Sequence, residues 1–353
     1  MRGPFAPAGD RTAGTIATVL LDTNVGFDPT GSYEAMAAAE REGYAAAWVT
    51  EVGHDPLAML ATAASRTTTL ALGTSIVVAF GRSPLITATL ANDVQVLSGG
   101  RLLLGLGSQI QPHIEKRYSM PWSRPAARMR EYVLALRAIW SAWNEGTRLN
   151  FRGEFYRHTL MTPFFSPSPH PYGPPKIYLA AVGERMTEVA GEVADGLLVH
   201  PLTTAAYLRD VTLPALARGL ERSGRHRGDV DIALSGFVVA DESGAPVAAE
   251  QVVRDQVAFY ASTPAYRGVL ESVGHEALQG DLALLARRGE WAAMGALVPD
   301  DLLDALAVRA RPAELAAAVH QRFAGLVDRF SVYPTIPLSE SARAQVLAGF
   351  ASC

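Results

Sequence analysis

The chain has 353 residues, of which 49% are hydrophobic, and its formal net charge is −4. That length is ordinary for an α/β barrel with insertions, and the hydrophobic fraction is sufficient for a large core. Acidic and basic residues are interspersed, which argues against nucleic acid or an anionic membrane as a partner. No apolar run is long enough to span a bilayer. The one cysteine, Cys353, can form no internal disulfide, and no Cys/His cluster indicates a metal site.

The N-terminal segment has the composition of a flexible tail. Residues 1–15 contain several glycines and prolines and lack the apolar centre of a signal peptide. We expect this tail to precede a single domain over residues 16–353, since neither a repeat nor a linker divides the rest of the chain. The missing signal and the lone cysteine predict a cytoplasmic protein.

Strand-like and helix-like segments alternate along the chain. Each strand is a continuous apolar run, which is typical of parallel strands buried on both faces. The predicted strands cover residues 18–23, 46–51, 70–78, 102–106, 177–182, 197–200, 230–240 and 330–333. The predicted helices cover residues 32–42, 56–66, 84–97, 125–143, 184–194, 205–223 and 312–326. This order predicts the α/β class and a (β/α)8 TIM barrel with insertions, with a doubly wound open sheet as the alternative.

Two stretches depart from the alternation. Residues 144–174 contain a predicted hairpin that turns at Arg152 and Gly153, followed by a proline-rich segment. Residues 242–311 are too long for one crossover and have a helical pattern. Insertions at the strand ends of a barrel usually carry its specificity. We therefore expect both stretches to form walls or lids of an active site, or else the surface of a homodimer.

Several chemistries are excluded by the absence of their motifs. The chain has no GxxxxGK[ST] phosphate loop, no HExxH, no GxSxG and no CxxC. Gly105 and Gly107 follow a strand, but Ile110 occupies the place of the next glycine that a dinucleotide fingerprint requires. The two glycines therefore indicate either a tight exit from the fourth strand or contact with a ligand.

Polar side chains follow the second strand. Glu51 ends it, and His54 and Asp55 lie in the loop that follows. At the carboxyl end of a barrel strand such groups can act as acid, base or hydrogen-bond partner of a ligand. The alternative is structural, with Asp55 capping the helix that begins at Pro56 and His54 solvated.

Small polar residues lie at the same predicted edge. Thr74 and Ser75 are in the third strand, while Ser108 and Gln109 follow the fourth. Their polar groups either bond the neighbouring backbone or contact a ligand. Basic side chains could neutralise an anionic cofactor or could be ordinary surface charges; these are Arg82, Lys116, Arg117, Arg124, Arg128 and Arg185.

A tight turn at Gly183 connects a predicted strand to a predicted helix. The segment runs strand, glycine, helix and second strand within residues 175–201. Such a turn leaves backbone N–H groups at the start of the helix free to bind an anion. In a barrel this edge is where ligands bind.

With these residues identified, the chain resembles the luciferase-like monooxygenase superfamily, and within it the coenzyme F420-dependent oxidoreductases. The resemblance covers residues 18–334. It depends on an ordered set of segments: AWVTE with a histidine in the next loop, LALGTSIVVAFGRSP, LSGGRLLLGLGSQ, RMREYVLALRAIW, FRGEFY and PPKIYLAAVGERMTEVAGEVADG. The set is more specific for the superfamily than for the cofactor.

The resemblance implies where a cofactor would bind. It implies a bulge in the third strand with a cis peptide between Ser75 and Ile76, which would support the ring from behind. Gly107, Ser108 and Gln109 would lie near the ring or its ribityl chain. The phosphate site would be formed by the turn and the helix start, namely Ala181, Val182, Gly183, Glu184, Arg185 and Met186.

The resemblance also implies an activity. In the family, an acidic residue with an adjacent histidine follows the second strand. Glu51 matches the acid, but Val52 occupies the next place and the histidine comes later, as His54. We expect an enzyme that transfers a hydride between F420 and a small organic substrate, with Glu51 and His54 as candidates for handling the proton. The alternatives are an FMN-dependent monooxygenase, a non-catalytic flavin-binding protein and a barrel enzyme without flavin.

Overall fold

The computed structural model describes residues 19–26, 28–242, 247–333 and 338–352. The strands are β1 (Leu20–Asn24), β2 (Ala46–Val49), β3 (Ala71–Thr74), β4 (Val77–Val78), β5 (Leu102–Gly107), β6 (Phe151–Arg152), β7 (Arg157–His158), β8 (Lys176–Ala181), β9 (Gly196–Val199), β10 (Asp231–Ala240), β11 (Ala307–Ala310) and β12 (Arg329–Tyr333). The helices are α1 (Ser32–Glu42), α2 (Pro56–Ala64), α3 (Pro84–Leu97), α4 (Gln111–Lys116), α5 (Pro125–Asn144), α6 (Glu184–Val193), α7 (Ala205–Tyr207), α8 (Leu213–Ser223), α9 (Val247–Ala261), α10 (Arg267–Glu271), α11 (Leu278–Arg288), α12 (Trp291–Met294), α13 (Asp300–Leu306), α14 (Leu315–Phe323) and α15 (Glu340–Ala351). The predicted tail 1–15 and Cys353 lie outside the described residues.

The parallel strands close into a barrel. Around the ring the order is β1, β2, β3 continued by β4, β5, β8, β9, β10 and β12, and β12 pairs with β1 to complete it. Because each position in the ring pairs on both sides, the ring has no open edge, which confirms the (β/α)8 barrel and not the doubly wound sheet. Closure also brings the carboxyl ends of all eight positions to one mouth.

The barrel interior is filled by large side chains from alternate strands. The rings of Trp48 and Tyr178 meet edge to face, with their centroids 5.5 Å apart. Glycines on the neighbouring strands make room for them. A Cβ atom at Gly73 would lie 2.2 Å from the Trp48 ring, and one at Gly196 would lie 2.1 Å from the Tyr178 ring. A second, larger apolar layer lies between the strands and the surrounding helices.

The third strand is interrupted, unlike its prediction as one run over 70–78. It is divided into β3 and β4, and the peptide bond between Ser75 and Ile76 is cis, as the resemblance implied. The Ser75 N–H donates to the Val49 carbonyl oxygen at 2.7 Å. The Ile76 carbonyl oxygen accepts from the Glu51 N–H at 3.3 Å. The bulge is therefore tied to the end of β2.

The insertion over 242–311 contains a strand that we did not predict. Helices α9 to α13 pack into their own apolar cluster with the end of β10, but β11 pairs with β10 in parallel outside the ring. Strand β11 was not predicted because it has only four residues and directly follows the helical run of α13. Helices α4 and α15 were also not predicted: α4 has only six residues, and α15 follows the last predicted strand.

The insertion over 144–174 begins with the predicted hairpin. Strands β6 and β7 are antiparallel, but the turn extends from Gly153 to Tyr156 and does not centre on Arg152. Glu131 of α5 holds this turn, because its carboxylate accepts from the N–H groups of Glu154, Phe155 and Tyr156 at 2.8, 2.7 and 2.6 Å. Among the described residues, no helix is long and apolar enough to cross a membrane.

Candidate functional site

The hydroxyl of Thr74, at the end of β3, ties the bulge between β3 and β4 to the neighbouring strand β5. Thr74 Oγ1 accepts from the Gly105 N–H at 2.9 Å and donates to the Gly105 carbonyl oxygen at 2.8 Å. The two backbones approach so closely that a Cβ atom at Gly105 would lie 1.8 Å from the Thr74 carbonyl oxygen. Gly105 is therefore a packing glycine, and its place is within β5 and not at the exit of the strand.

A steric contact also explains why residue 107 is a glycine. A Cβ atom there would lie 2.8 Å from the side chain of Ile76, so β5 ends against the bulge. Ser108 and Gln109 continue from it at the barrel mouth and are half-buried. Gln109 has a positive φ of 59° and its side chain accepts from the Ile110 N–H at 3.0 Å. The contact of these residues with a cofactor stays a prediction.

Glu51 lies at the end of β2 with its carboxylate enclosed. Its Oε2 accepts from the Val78 N–H at 2.9 Å and pairs with Arg82 at 2.7 Å, and its Oε1 accepts from the Tyr118 hydroxyl at 2.9 Å. Its side chain is 7% exposed. These contacts fasten β4 to the end of β2. That Glu51 takes part in proton transfer stays a prediction. Any proton it held would have to be accommodated beside Arg82 and Tyr118.

Asp55 and His54, the other polar residues after β2, were given a chemical and a structural interpretation, and the structure treats them differently. Asp55 caps α2 by accepting from the Leu57 N–H at 2.9 Å, as the structural alternative stated, and it also pairs with Arg82 at 2.7 Å. Burial works against the charged form of Arg82, but hydrogen bonds to Asp55 and Glu51 outweigh it and raise the pKa of the guanidinium. His54 is exposed at the mouth.

The turn after β8 is open. Gly183 precedes α6 with φ −89° and ψ 153°, and a Cβ atom there would meet nothing within 4 Å. Among the described residues, no acceptor takes the N–H groups of Glu184 and Arg185, the first two of the helix. The turn can therefore receive an anion, and neither packing nor backbone conformation explains the glycine.

The predicted cations have different surroundings. Arg82 is neutralised by two carboxylates, and Arg124 pairs with Glu154. Arg128 is buried, with its guanidinium 4.4 Å from the centre of the Phe80 ring and its Nε 2.8 Å from the Tyr156 hydroxyl. The contacts of Arg82 and Arg128 serve the fold, whereas Arg124 forms its ion pair at the surface and stays exposed. The side chains of Lys116, Arg117 and Arg185 are exposed as well.

A buried ion pair lies inside the barrel below the mouth. Arg329 of β12 donates to both carboxylate oxygens of Asp22 on β1, at 2.8 and 2.7 Å. The Trp48 indole N–H donates to the same carboxylate at 2.8 Å. Burial raises the pKa of Asp22 and the charge of Arg329 opposes that shift. Both carboxylate oxygens of Asp22 are hydrogen-bonded, as a buried charge requires.

An open cavity, with about 280 Å³ of empty space that includes part of the solvent at its opening, lies above this ion pair in the C-terminal half of the barrel. Its lining residues come from β1, β2, β9, β10, β12 and the bulge: Asp22, Asn24, Trp48, Ser75, Leu198, Val199, Ala233, Leu234, Ser235, Arg329 and Ser331. Since Asn24 is exposed to solvent, the cavity opens at the mouth. Ser75 belongs to the predicted cofactor site and also lines this cavity, so the two sites are adjacent in the barrel mouth.

An aromatic group stands beyond the cavity, formed by strand ends and the second insertion. We call it the aromatic wall: His200, Phe237, Tyr260, Tyr266 and Tyr333. The His200 ring lies 4.5 Å from the rings of both Tyr260 and Tyr266, and the hydroxyls of Tyr260 and Tyr333 are 2.9 Å apart. Burial lowers the pKa of His200 to about 3, so its imidazole is neutral.

The sequence analysis missed this half of the mouth. The predicted strand 18–23 includes Asp22 without singling it out and ends before Asn24, and neither Asn24, Ser235 nor Ser331 is among the predicted site residues. The available signal was polar residues at alternate positions within otherwise apolar strands, which share one face of the strand. Tyr260 and Tyr266 could not be placed from the sequence, because only the fold brings residues 247–311 over the ends of β9, β10 and β12.

The fold is that of a barrel enzyme, and the candidate site lies at the carboxyl ends of its strands. The sequence profile described as luciferase-like monooxygenase matches residues 5–329. The chain belongs to this family of oxidoreductases.

Individual relatives agree with that assignment. The chain is 50% identical over 310 residues to an uncharacterized protein of Mycobacterium tuberculosis H37Rv, covering 88% of this chain and 91% of the relative. It is 28% identical to the 5,10-methylenetetrahydromethanopterin reductase of Methanolobus tindarius, covering 80% and 83%. Among solved structures, the coenzyme F420 dependent tetrahydromethanopterin reductase from Methanopyrus kandleri matches with a TM-score of 0.77 and 21% identity, covering 95% and 98%. This last likeness concerns the fold.

Proposed function

We propose that the protein is a coenzyme F420-dependent oxidoreductase that transfers a hydride between the deazaflavin and a small organic substrate. One arrangement carries the proposal. The bulge at Ser75–Ile76, Gly107 and the open turn at Gly183 follow one another on β4, β5 and β8, which are adjacent in the ring. A deazaflavin fits these adjacent strands with its flat ring against the bulge and its phosphate at the Gly183 turn. The reductases among the relatives favour a deazaflavin.

The residues present are compatible with such a group. Gly183 leaves open space where a side chain would stand, and the N–H groups of Glu184 and Arg185 are available to phosphate oxygens. Strands β4 and β5, which lead to it, are apolar and buried. An apolar support of this kind suits a planar ring at the strand ends.

Each part of the site has a role in this proposal. The deazaflavin, when bound, supplies the two-electron hydride chemistry. Glu51, Arg82 and Tyr118 hold β4 in place behind it through the contacts described above. The apolar strands exclude water from the ring. Glu51 and His54 remain the candidates for holding or releasing the proton that accompanies the hydride, Glu51 from within its network and His54 from the exposed loop.

The second candidate is an FMN-dependent monooxygenase, and one observation favours it. Of the six predicted cations, Arg82 and Arg128 are held within the fold and Arg124 is paired with Glu154, which leaves Lys116, Arg117 and Arg185 to meet the acidic tail that a deazaflavin carries beyond its phosphate. A phosphate-terminated flavin would need fewer cations. The shared turn at Gly183 suits both cofactors.

Oxygen uptake separates the two candidates. The purified protein is mixed in air with reduced deazaflavin or with reduced FMN, and oxygen consumption is compared with the protein-free rate. Hydride transfer to an organic substrate consumes no oxygen, so we expect no increase with reduced deazaflavin. An increase with reduced FMN that depends on an added organic substrate would support the monooxygenase. The control is Gly183→Val, in which the turn that receives the phosphate is filled.

A further inference from the structure

The substrate half of the mouth consists of stacked layers with different chemistry. Residues two apart on a strand share one face, so the inward positions of β10 and β12 can be compared pair by pair. Ala233 lies beside Arg329 in the lowest layer, and Ser235 lies beside Ser331 in the middle layer. Phe237 lies beside Tyr333 in the uppermost one. Charge, neutral polarity and aromatic surface thus follow in order toward the mouth.

The middle layer is completed by Asn24 of β1. Its Nδ2 donates to Ser235 Oγ at 3.0 Å, to Ser331 Oγ at 3.2 Å and to the Val332 carbonyl oxygen at 3.3 Å. Only the nitrogen can face a carbonyl oxygen, so the orientation of the amide is determined. No donor among the described residues reaches Asn24 Oδ1. We call these three side chains the polar triad.

The polar triad offers both kinds of hydrogen bond. Asn24 Oδ1 is an acceptor held in a fixed position. Ser235 and Ser331 use lone pairs to accept from Asn24, which leaves their own O–H groups free to donate. An alcohol oxygen needs an acceptor for its hydrogen, and a carbonyl oxygen needs a donor. The triad therefore suits both members of an alcohol and carbonyl pair.

The cavity wall carries no unbalanced charge. Its charged lining residues are Asp22 and Arg329, and they are paired at 2.7 Å. The neighbouring histidine, His200, is neutral because of its burial, and burial raises the pKa of Tyr260 and of Tyr266, so their hydroxyls are uncharged as well. A phosphate or carboxylate placed here would lose its hydration without gaining a cation, which is costly. An uncharged group would not.

We propose that the substrate is an uncharged alcohol or its carbonyl counterpart, with its reacting oxygen bound by Asn24, Ser235 and Ser331 and its apolar body against the aromatic wall. This inference rests on the proposed function. In the oxidative direction the substrate carbon loses a hydride, its hydroxyl loses a proton and the carbonyl double bond forms. Hydride and proton are both taken up by the oxidised deazaflavin, and reduction of the carbonyl reverses each change.

The first test is a substrate panel with the F420-loaded protein. The neutral pairs are cyclohexanol with cyclohexanone and 1-phenylethanol with acetophenone, and the charged compounds are lactate and glucose 6-phosphate. Turnover is followed by the absorbance of the deazaflavin. We expect kcat/KM for the neutral compounds to exceed that for the charged ones at least tenfold. Equal or better use of a charged compound would overturn the proposal.

The second test changes the polar triad. Asn24→Leu keeps the volume and removes the amide, and Ser235→Ala is a milder change in case the first variant unfolds. Ser272→Ala is the matched control, because the Ser272 hydroxyl bonds the Val269 carbonyl oxygen in α10, away from the cavity. We expect kcat/KM for the neutral substrate to fall at least tenfold in the triad variants, with deazaflavin Kd within twofold of wild type. A parallel rise in deazaflavin Kd would mean that the triad holds the cofactor, and unchanged kcat/KM would mean that it holds nothing.

Calorimetric titration of the protein with cyclohexanol, with and without F420, separates this inference from the proposed function. Binding of cyclohexanol that weakens in Asn24→Leu supports the inference even if no deazaflavin binds, in which case only the proposed function fails. Binding of deazaflavin without binding of cyclohexanol in either titration overturns the inference and leaves the proposed function intact.

Discussion

Glu51 combines a structural task with a candidate chemical one. Its carboxylate meets the Val78 N–H, the Tyr118 hydroxyl and Arg82, all within 2.9 Å. Hydrogen bonds to charged groups contribute more than neutral ones, so the network braces β4. The chemistry of the residue therefore has to be measured separately from its effect on the fold.

Glu51→Gln separates these two tasks. The amide keeps an acceptor for one neighbour but removes the charge opposite Arg82, which still has Asp55 as a partner. We expect a modest fall in melting temperature and a fall in turnover of about a hundredfold or more, as is usual when acid–base help is lost. His54→Ala, made in parallel, should lower turnover without lowering the melting temperature because His54 is exposed. Normal turnover in either variant removes that residue from proton transfer.

Glu40 gives the fold a dependence on acid pH. Burial works against its ionisation, but N–H donors of Thr69, Leu70 and Thr68 outweigh it and lower the pKa to about 2. The unfolded chain takes up this proton near the ordinary value of 4.5. The stabilisation is thus complete above that value and is lost as the pH falls toward about 2.

The measurement is thermal unfolding of wild type and Glu40→Gln between pH 6 and pH 2. Because the group is largely solvated, we expect a difference on the order of 1 kcal/mol at neutral pH, less than the pKa shift alone would give. The two proteins should converge in stability toward the acid end. A constant difference across the range would mean that the N–H groups bind the neutral side chain equally well.

At the scale of elements, Gly183 and Gly105 both follow apolar residues of a strand, but the structure gives the two glycines different surroundings. A Cβ atom meets nothing at Gly183 but lies 1.8 Å from a carbonyl oxygen at Gly105. We expect Gly183→Val to weaken cofactor binding strongly while the melting temperature of the cofactor-free protein changes little. Gly105→Ala should instead lower that melting temperature clearly. Cofactor titration and thermal unfolding of both variants check this.

A Gly183→Val protein that unfolds would contradict the assignment of the turn as a phosphate site. A Gly183→Val protein that binds the cofactor normally would do the same. Fully folded Gly105→Ala, in turn, would contradict the close approach of β3 and β5.

The elements most open to prediction were those whose signals are local. Helices α1 and α3 begin and end at the predicted residues, because a glycine follows the first and Ser83 with Pro84 opens the second. The bulge was predictable only through the family resemblance. Strand β11 and the aromatic wall were not, since each depends on which distant segments the barrel brings together.

The polar triad could likewise not be predicted from local sequence signals. Asn24, Ser235 and Ser331 are separated by about two hundred and one hundred residues, and no local pattern relates them. Cofactor-side residues, in contrast, lie beside glycines and strand ends that mark them in the sequence. The sequence therefore located one half of the mouth, and closure of the ring was needed for the other.

At the scale of the whole molecule, we predict a homodimer. Phe164 and Phe165 in the first insertion are 90% and 74% exposed, and Leu160 is 79% exposed. Apolar side chains exposed together mark interaction surfaces. We expect light scattering to give the mass of two chains for wild type and one for the double variant Phe164→Asp, Phe165→Asp. A monomeric wild type would contradict this expectation.

The choice of cofactor is the central claim, and equilibrium titration tests it most directly. Purified protein is titrated with oxidised deazaflavin and with FMN, and the absorbance and fluorescence of each ring are followed at low and at high salt. We predict tighter binding of the deazaflavin, with a Kd that rises with salt because Lys116, Arg117 and Arg185 meet its acidic tail in solvent. Tighter binding of FMN, or deazaflavin binding that salt does not change, would contradict the account.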